Sequence, residues 1–150
     1  MIKRKDGSWK FYYNIFDEYI ELAMEAGIRG AITIYTPLPW GFRFRFLDES
    51  TDQYIVEEWP PESVQFRNIW KLFLDDLKSH LEQKGWFEKT YLGINENPLS
   101  NTLSAAKFIK EHSKKWKITY AGDWHPELTS ILDDYCCIIN SEPDSAASPI

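Results

Sequence analysis

An α/β fold with a parallel sheet, built from repeated βα units and carrying an inserted β-hairpin, is what this sequence predicts. Three observations carry the expectation. β-branched runs alternate along the chain with segments of helical periodicity, the pattern that places parallel strands between crossover helices. One run, Ile28 to Tyr35 (IRGAITIY), is apolar on both faces, as a strand covered on both sides requires. The chain has 150 residues, 43% hydrophobic and 27% charged, the size and composition of one domain that buries roughly two thirds of its unfolded surface.

In order, Trp9 to Tyr13 is aromatic and β-prone. Asn14 then stands as an N-cap, with Asp17 as a capping-box partner and Glu18 in the first turn. Phe16, Tyr19, Ile20 and Ala23 recur at helical spacing, and Gly27 sits where a glycine ends a helix. After the strand Ile28 to Tyr35, a connection from Thr36 to Ser63 contains Pro37, Pro39, Pro60 and Pro61. Within it Phe42, Phe44 and Phe46 alternate with Arg43 and Arg45, a turn follows over residues 48–52, and Tyr54, Ile55 and Val56 resume the β pattern. This is a hairpin projecting from the main sheet. Loops of such length in compact domains commonly serve as lids or binding loops.

Glu62 to Lys84 is the clearest helix. Phe66, Trp70, Phe73, Leu74, Leu77 and Leu81 form one stripe, and Gly85 closes it. Thr90 to Ile94 is a strand, Leu99 to His112 a helix, and Lys117 to Ala121 a strand. Pro126 opens a short helix, Tyr135 to Ile139 is the last strand, and the Ser-, Ala- and Pro-rich tail, residues 141–150, is expected to be disordered. Five strands and four helices fall short of the roughly 250 residues of a full (β/α)8 barrel. The order fits either a doubly wound sheet or a piece of a barrel.

Seventeen basic and 23 acidic residues leave a net charge of −6, which argues against nucleic-acid or anionic-membrane binding. No transmembrane run or secretory signal is recognisable. Cys136 and Cys137 are adjacent, cannot form an unstrained disulfide together, and are expected as buried thiols. Aromatic residues reach 16%, which fits either a ring-rich core or flat surfaces for sugar or base recognition. The three histidines lack zinc-ligand spacing, and no Gly-rich phosphate loop or Gly-x-Ser-x-Gly elbow is present. His80 and His112 are expected at surface or boundary positions, Asp48-Glu49 in a solvated turn, and Asp133-Asp134 at a helix end.

Ligands of parallel α/β sheets bind beyond the carboxyl ends of the strands. That rule selects Thr36-Pro37-Leu38-Pro39-Trp40 after the strand ending at Tyr35, Asn95 and Glu96 after Ile94, Asp123, Trp124 and His125 after Ala121, and Asn140 after Ile139. Glu96 at a strand tip can give a proton to a leaving oxygen and later activate water. The same residue, just before Pro98, can instead serve as a favourable anion at a helix N-terminus. The residues alone leave both readings open.

Residues 16–23 (FDEYIELA), Pro39-Trp40-Gly41-Phe42, the run from Trp70 to Trp86, Tyr91-Leu92-Gly93-Ile94-Asn95-Glu96, Tyr120 to Leu128 and Asp133-Asp134-Tyr135 together resemble the catalytic domain of glycoside hydrolase family 123. The resemblance runs from about Trp9 to Ile139. It implies part of a (β/α)8 TIM barrel and a retaining β-N-acetylgalactosaminidase in which the sugar's acetamido oxygen is the nucleophile. It also implies Glu96 as general acid and base. Asn95 occupies the position of the family's Asp, which orients the acetamido group. Glu96 would then need a raised pKa, such as a partly desolvated aromatic pocket supplies.

The expectation is therefore a fragment of such a glycosidase. Residues 1–140 are part of the catalytic barrel, with Asn95 and Glu96 catalytic, and Trp40, Trp124 and His125 contacting an N-acetylhexosamine glycoside. No metal or organic cofactor is implied. The missing barrel strands imply weak or no activity in isolation and association through exposed sheet edges. Two rival readings are a carbohydrate-binding remnant that does not cleave, and an unrelated open α/β interaction domain.

Overall fold

A computed structural model describes residues 1–137. In chain order the strands and α-helices are β1 (Ile2–Lys3), β2 (Trp9–Lys10), α1 (Asn14–Glu25), β3 (Ile32–Tyr35), β4 (Arg43–Asp48), β5 (Gln53–Glu58), α2 (Val64–Gln83), β6 (Thr90–Asn95), α3 (Leu99–His112), β7 (Lys117–Gly122) and β8 (Asp134–Cys137). They form two compact units, one of Met1–Ile32 with Pro39–Thr90, the other of Thr33–Leu38 with the chain from Tyr91 onward. The expected final strand is observed as far as Cys137; its remainder, Asn140 and the tail over 141–150 lie outside the described residues.

The first unit contains a four-stranded sheet in the order β2-β1-β4-β5. The expected hairpin is present, with Arg43 opposite Glu58 and Asp48 opposite Gln53. It is not an insertion into the parallel sheet, however: β1 runs parallel to β4 and antiparallel to β2, which gives the hairpin a sheet of its own. The β1–β2 turn is closed by Asp6, whose carboxylate accepts from the Ser8 N–H (2.9 Å) and hydroxyl (2.7 Å), and by Gly7 at φ 83°. Two-residue strands leave almost no periodic signal, so the pairing partners rather than the local sequence define this sheet.

Alternation in β4 works as the sequence indicates. Arg43 and Arg45 face out, the latter 4.3 Å above the Tyr54 ring, while Phe44 and Phe46 are buried. Phe44 stacks on Trp59 at 4.9 Å and meets Phe66 and Trp70 of α2 edge-on. Much of the aromatic excess is thus core, where paired rings add about 0.5–1.5 kcal/mol beyond their buried area. Asp48 is buried rather than solvated: its carboxylate takes the Ser50 N–H (2.8 Å) and hydroxyl (2.5 Å) to shape the turn.

Helix α2 has Ser63 as N-cap, its hydroxyl oxygen accepting the Phe66 N–H at 3.1 Å, and buries Phe66, Ile69, Trp70, Leu74, Leu77 and Leu81. Helix α1 begins differently from expectation. Tyr13 is its N-cap, without a side-chain capping bond, and Asn14 is the first residue of the helix. Asp17 turns instead to α2, where it pairs with His80 (2.7 Å) and Lys84 (3.1 Å). His80 also lies stacked on Tyr13 at 4.2 Å, a structural position. At the far end Gly27, at φ 92°, lets Ile28 reach back to the Ala23 carbonyl at 2.9 Å, ending the helix as its position indicates.

The second unit holds the sheet β3-β6-β7-β8, in which β6, β7 and β8 are parallel. Central strands β6 and β7 are covered as a parallel sheet demands, with Leu92, Ile94, Ile118 and Tyr120 at 1% exposure or less. Strand β3 is shorter than the expected Ile28 to Tyr35 and alternates buried and exposed residues, because it stands at the sheet edge with one neighbour. Since β2 lies in the other sheet, β2-α1-β3 is not a βαβ unit of one sheet. β8 is likewise an edge strand, so Cys136 is exposed and Cys137 half-buried, neither in a disulfide. The expectation of buried thiols fails on that account.

Asp133 and Asp134 are not helix-end residues. Asp133 Oδ2 accepts from the Ile118 N–H (2.8 Å) and from Lys110 (2.7 Å), and Asp134 Oδ2 accepts from the Thr119 hydroxyl (2.6 Å). They tie the start of β8 to β7. Among the described residues no helix is long and apolar enough to cross a membrane.

Candidate active site

In the second unit the carboxyl ends of β6, β7 and β8 bring together most of the residues the strand-end rule selects. The register sets Asn95, Ala121 and Cys136 side by side, with Gly122 and Cys137 one step beyond. Asn95 is half-buried and ends β6. Its side-chain oxygen Oδ1 accepts the Thr36 hydroxyl at 2.9 Å and the Asn97 amide at 3.2 Å. The same Asn97 nitrogen donates to the Asn95 main-chain carbonyl at 3.2 Å.

Glu96 occupies the bend that follows and is exposed. The N-cap of α3 is Pro98, which makes no side-chain capping bond. The described residues do not enclose it in an aromatic pocket. Its charge acts on Tyr120, which is fully buried and whose hydroxyl has no hydrogen-bond partner among the described residues. Burial pushes the Tyr120 phenol up to about 12, and Tyr135, Glu96 and Asp123 push in the same direction. Gly122 makes room for that hydroxyl, since a Cβ at this position would overlap it.

Trp124 and His125 are half-buried on the loop after β7. Tyr135 orders this loop: its hydroxyl accepts the His125 N–H at 2.7 Å and donates to the Asp123 carbonyl at 2.8 Å. The Trp124 ring lies 5.0 Å from the Tyr135 ring, and the His125 ring lies 6.5 Å from that of Tyr120. Trp124 and Tyr135 share a shallow cavity with Thr129, Leu132, Asp133 and Asp134. Trp40 belongs to the first unit, in a short 3-10 turn (Trp40–Phe42), where it is 78% exposed.

The strand-end rule reaches Thr36, the residue after β3, but misses Tyr120 and Tyr135. A tyrosine within a strand looks like core from its spacing, and only the orphaned hydroxyl of Tyr120 distinguishes it. The arrangement supplies a carboxylate, an oriented amide, a buried phenol and an indole at one sheet edge. Such a set can hold a sugar ring and move a proton at a glycosidic oxygen. Among the described residues no group of three His, Cys, Asp or Glu is placed to hold a metal.

No curated protein matches the chain. Among solved structures it is similar to a family 123 glycoside hydrolase from Clostridium perfringens, studied for the details of glycolipid glycan hydrolysis, with a TM-score of 0.82 and 29% identity. The likeness covers 89% of this chain and 25% of that one, so the chain spans about a quarter of the length of the relative it matches. The model of the glycoside hydrolase 123 catalytic domain matches residues 1–148, and by that match the chain belongs to the family.

Proposed function

We propose that the chain carries part of the active site of a retaining glycosidase that removes terminal β-linked N-acetylgalactosamine, within a partial TIM barrel spanning residues 1–140. The observation that carries this reading is the placement of Glu96 directly after the tip of β6, beside Asn95. Glu96 protonates the leaving glycosidic oxygen while the substrate's acetamido oxygen closes onto the anomeric carbon. The carboxylate so formed then takes a proton from the water that opens the cyclic intermediate, and the configuration is retained. Asn95 holds the acetamido arm. Trp124 and His125 contact the sugar. The reaction needs no metal or organic cofactor because the substrate brings its own nucleophile.

Membership of the family removes the reading as an unrelated interaction domain. A non-catalytic carbohydrate-binding remnant remains as a second reading, favoured by two observations: Glu96 is exposed to solvent, and position 95 carries an amide. A general acid works best where walls exclude water, so the chain by itself is expected to be weak or inactive.

Comparison of the wild type with Glu96→Gln and Asn95→Asp separates the two readings. Binding of methyl β-N-acetylgalactosaminide and nitrophenol release from the corresponding nitrophenyl glycoside are measured for each. The glycosidase reading expects slow release that disappears in Glu96→Gln while sugar binding persists. Binding with no release from any of the three proteins supports the remnant. Absence of binding in all of them sinks both.

A further inference from the structure

The hydrogen bonds around Asn95 determine which end of its amide faces outward. Asn97 Nδ2 lies 3.2 Å from the Asn95 main-chain oxygen, a pure acceptor, so the Asn97 atom at that point must be its NH2 group. Its second N–H then faces the Asn95 side chain at 3.2 Å, and only an oxygen can meet it there. Turning Asn95 over would set two NH2 groups against each other. Turning Asn97 over would set its oxygen against a carbonyl. The Thr36 hydroxyl agrees: it accepts the Leu38 N–H at 3.2 Å, and its one hydrogen points to Asn95 Oδ1 at 2.9 Å in preference to the Leu38 carbonyl at 3.4 Å. Oδ1 of Asn95 therefore carries two donors, while Nδ2 has no partner among the described residues and is not a buried unsatisfied atom.

We infer that Thr36 and Asn97 are positioning residues that lock Asn95 as an outward hydrogen-bond donor, so that the site grips the substrate's acyl arm by its carbonyl oxygen and makes no use of the acetamido N–H. This rests on the glycosidase reading and goes further, because it names the substrate atom that position 95 recognises. The same two donors would hold an aspartate at position 95 equally well through one oxygen. Its second oxygen would then face outward as an acceptor for the acetamido N–H. One atom thus decides whether an acyl amide and an acyl ester are told apart.

The test compares two ligands by calorimetry: methyl β-N-acetylgalactosaminide, and its ester counterpart in which oxygen replaces the amide nitrogen. The wild type is expected to bind both within about twofold, since both present the same carbonyl oxygen. Asn95→Asp is expected to prefer the amide by about tenfold, the worth of one charge-assisted hydrogen bond. The double variant Thr36→Val, Asn97→Ala frees the amide to turn, and is expected to gain a preference of a few-fold for the amide ligand. A change confined to packing would move both ligands alike. An amide preference of about tenfold already in the wild type overturns the inference and leaves the glycosidase reading intact. Failure of either protein to bind either ligand removes that reading, and the inference with it.

Discussion

Replacing Tyr120 by phenylalanine is expected to stabilise the chain. The Tyr120 hydroxyl is buried, and no group among the described residues satisfies it. Stripping water from such a group without a replacement partner costs about 1–3 kcal/mol. Phenylalanine removes that penalty. It leaves a void of roughly one oxygen atom, about 10–15 Å³, which at about 24 cal/mol per Å³ returns only about 0.3 kcal/mol. The net expectation is a gain of about 1–2 kcal/mol, or roughly 2–8 °C in Tm. Urea unfolding followed by tryptophan fluorescence measures it. The phenol is also held up to about 12 in the fold against an ordinary value near 10. Between these two pH values the unfolded chain has released the proton that the folded chain still holds, so stability declines as pH rises through that interval. Tyr120→Phe is expected to flatten part of this alkaline decline, with Tyr13 and Tyr135, whose phenols are also raised, supplying the rest. A loss of 1 kcal/mol or more would refute the reasoning, because it means that the hydroxyl has a partner.

Two further expectations concern the frame. Asp133→Ala leaves the Ile118 N–H without an acceptor and Lys110 without a carboxylate. The first costs about 1–3 kcal/mol and the second, half-exposed, about 0–1 kcal/mol. Asp133→Asn keeps an acceptor and is expected to cost about 1 kcal/mol or less in the same unfolding assay; equal losses from both variants contradict the account. For Asp17, burial alone would raise the carboxyl, but the bonds to His80 and Lys84 outweigh it and hold the group below its usual value. Its stabilisation is therefore present above about pH 4 and lost as pH falls through the lowered value. Asp17→Asn is expected to give a shallower acid decline in thermal unfolding profiles than the wild type, and an identical profile counts against the α1–α2 pairing.

Much of the secondary structure was legible because single helices and central strands announce themselves. The stripe on α2, the glycine after Gln83-Lys84, the bounds of α3 and the apolar runs of β6 and β7 all depend on local periodicity. The division into two sheets did not show, because it depends on which strand Ile2–Lys3 joins, and two residues carry no pattern. Edge position was equally hidden: Ile32–Tyr35 and Asp134–Cys137 have strand composition, but only their lack of an outer neighbour makes them half-open. Within the site, the strand-end rule reached Asn95, Glu96, Trp124 and His125. It named Thr36 as the residue after β3 but did not reach its contact with Asn95, which spans 59 positions of chain. Nor did it reach Tyr120, whose importance lies in a hydrogen bond that is absent.

The central claim is that the carboxyl ends of β6, β7 and β8 form a sugar site. Amide and side-chain NMR shifts during titration with methyl β-N-acetylgalactosaminide test it most directly. The account predicts saturable shifts concentrated at Asn95, Glu96, Trp124, His125 and the Tyr135-anchored loop. A silent titration, or one whose largest shifts fall among Phe11, Tyr13, Trp70 and Phe73 around the apolar cavity of the first unit, contradicts it.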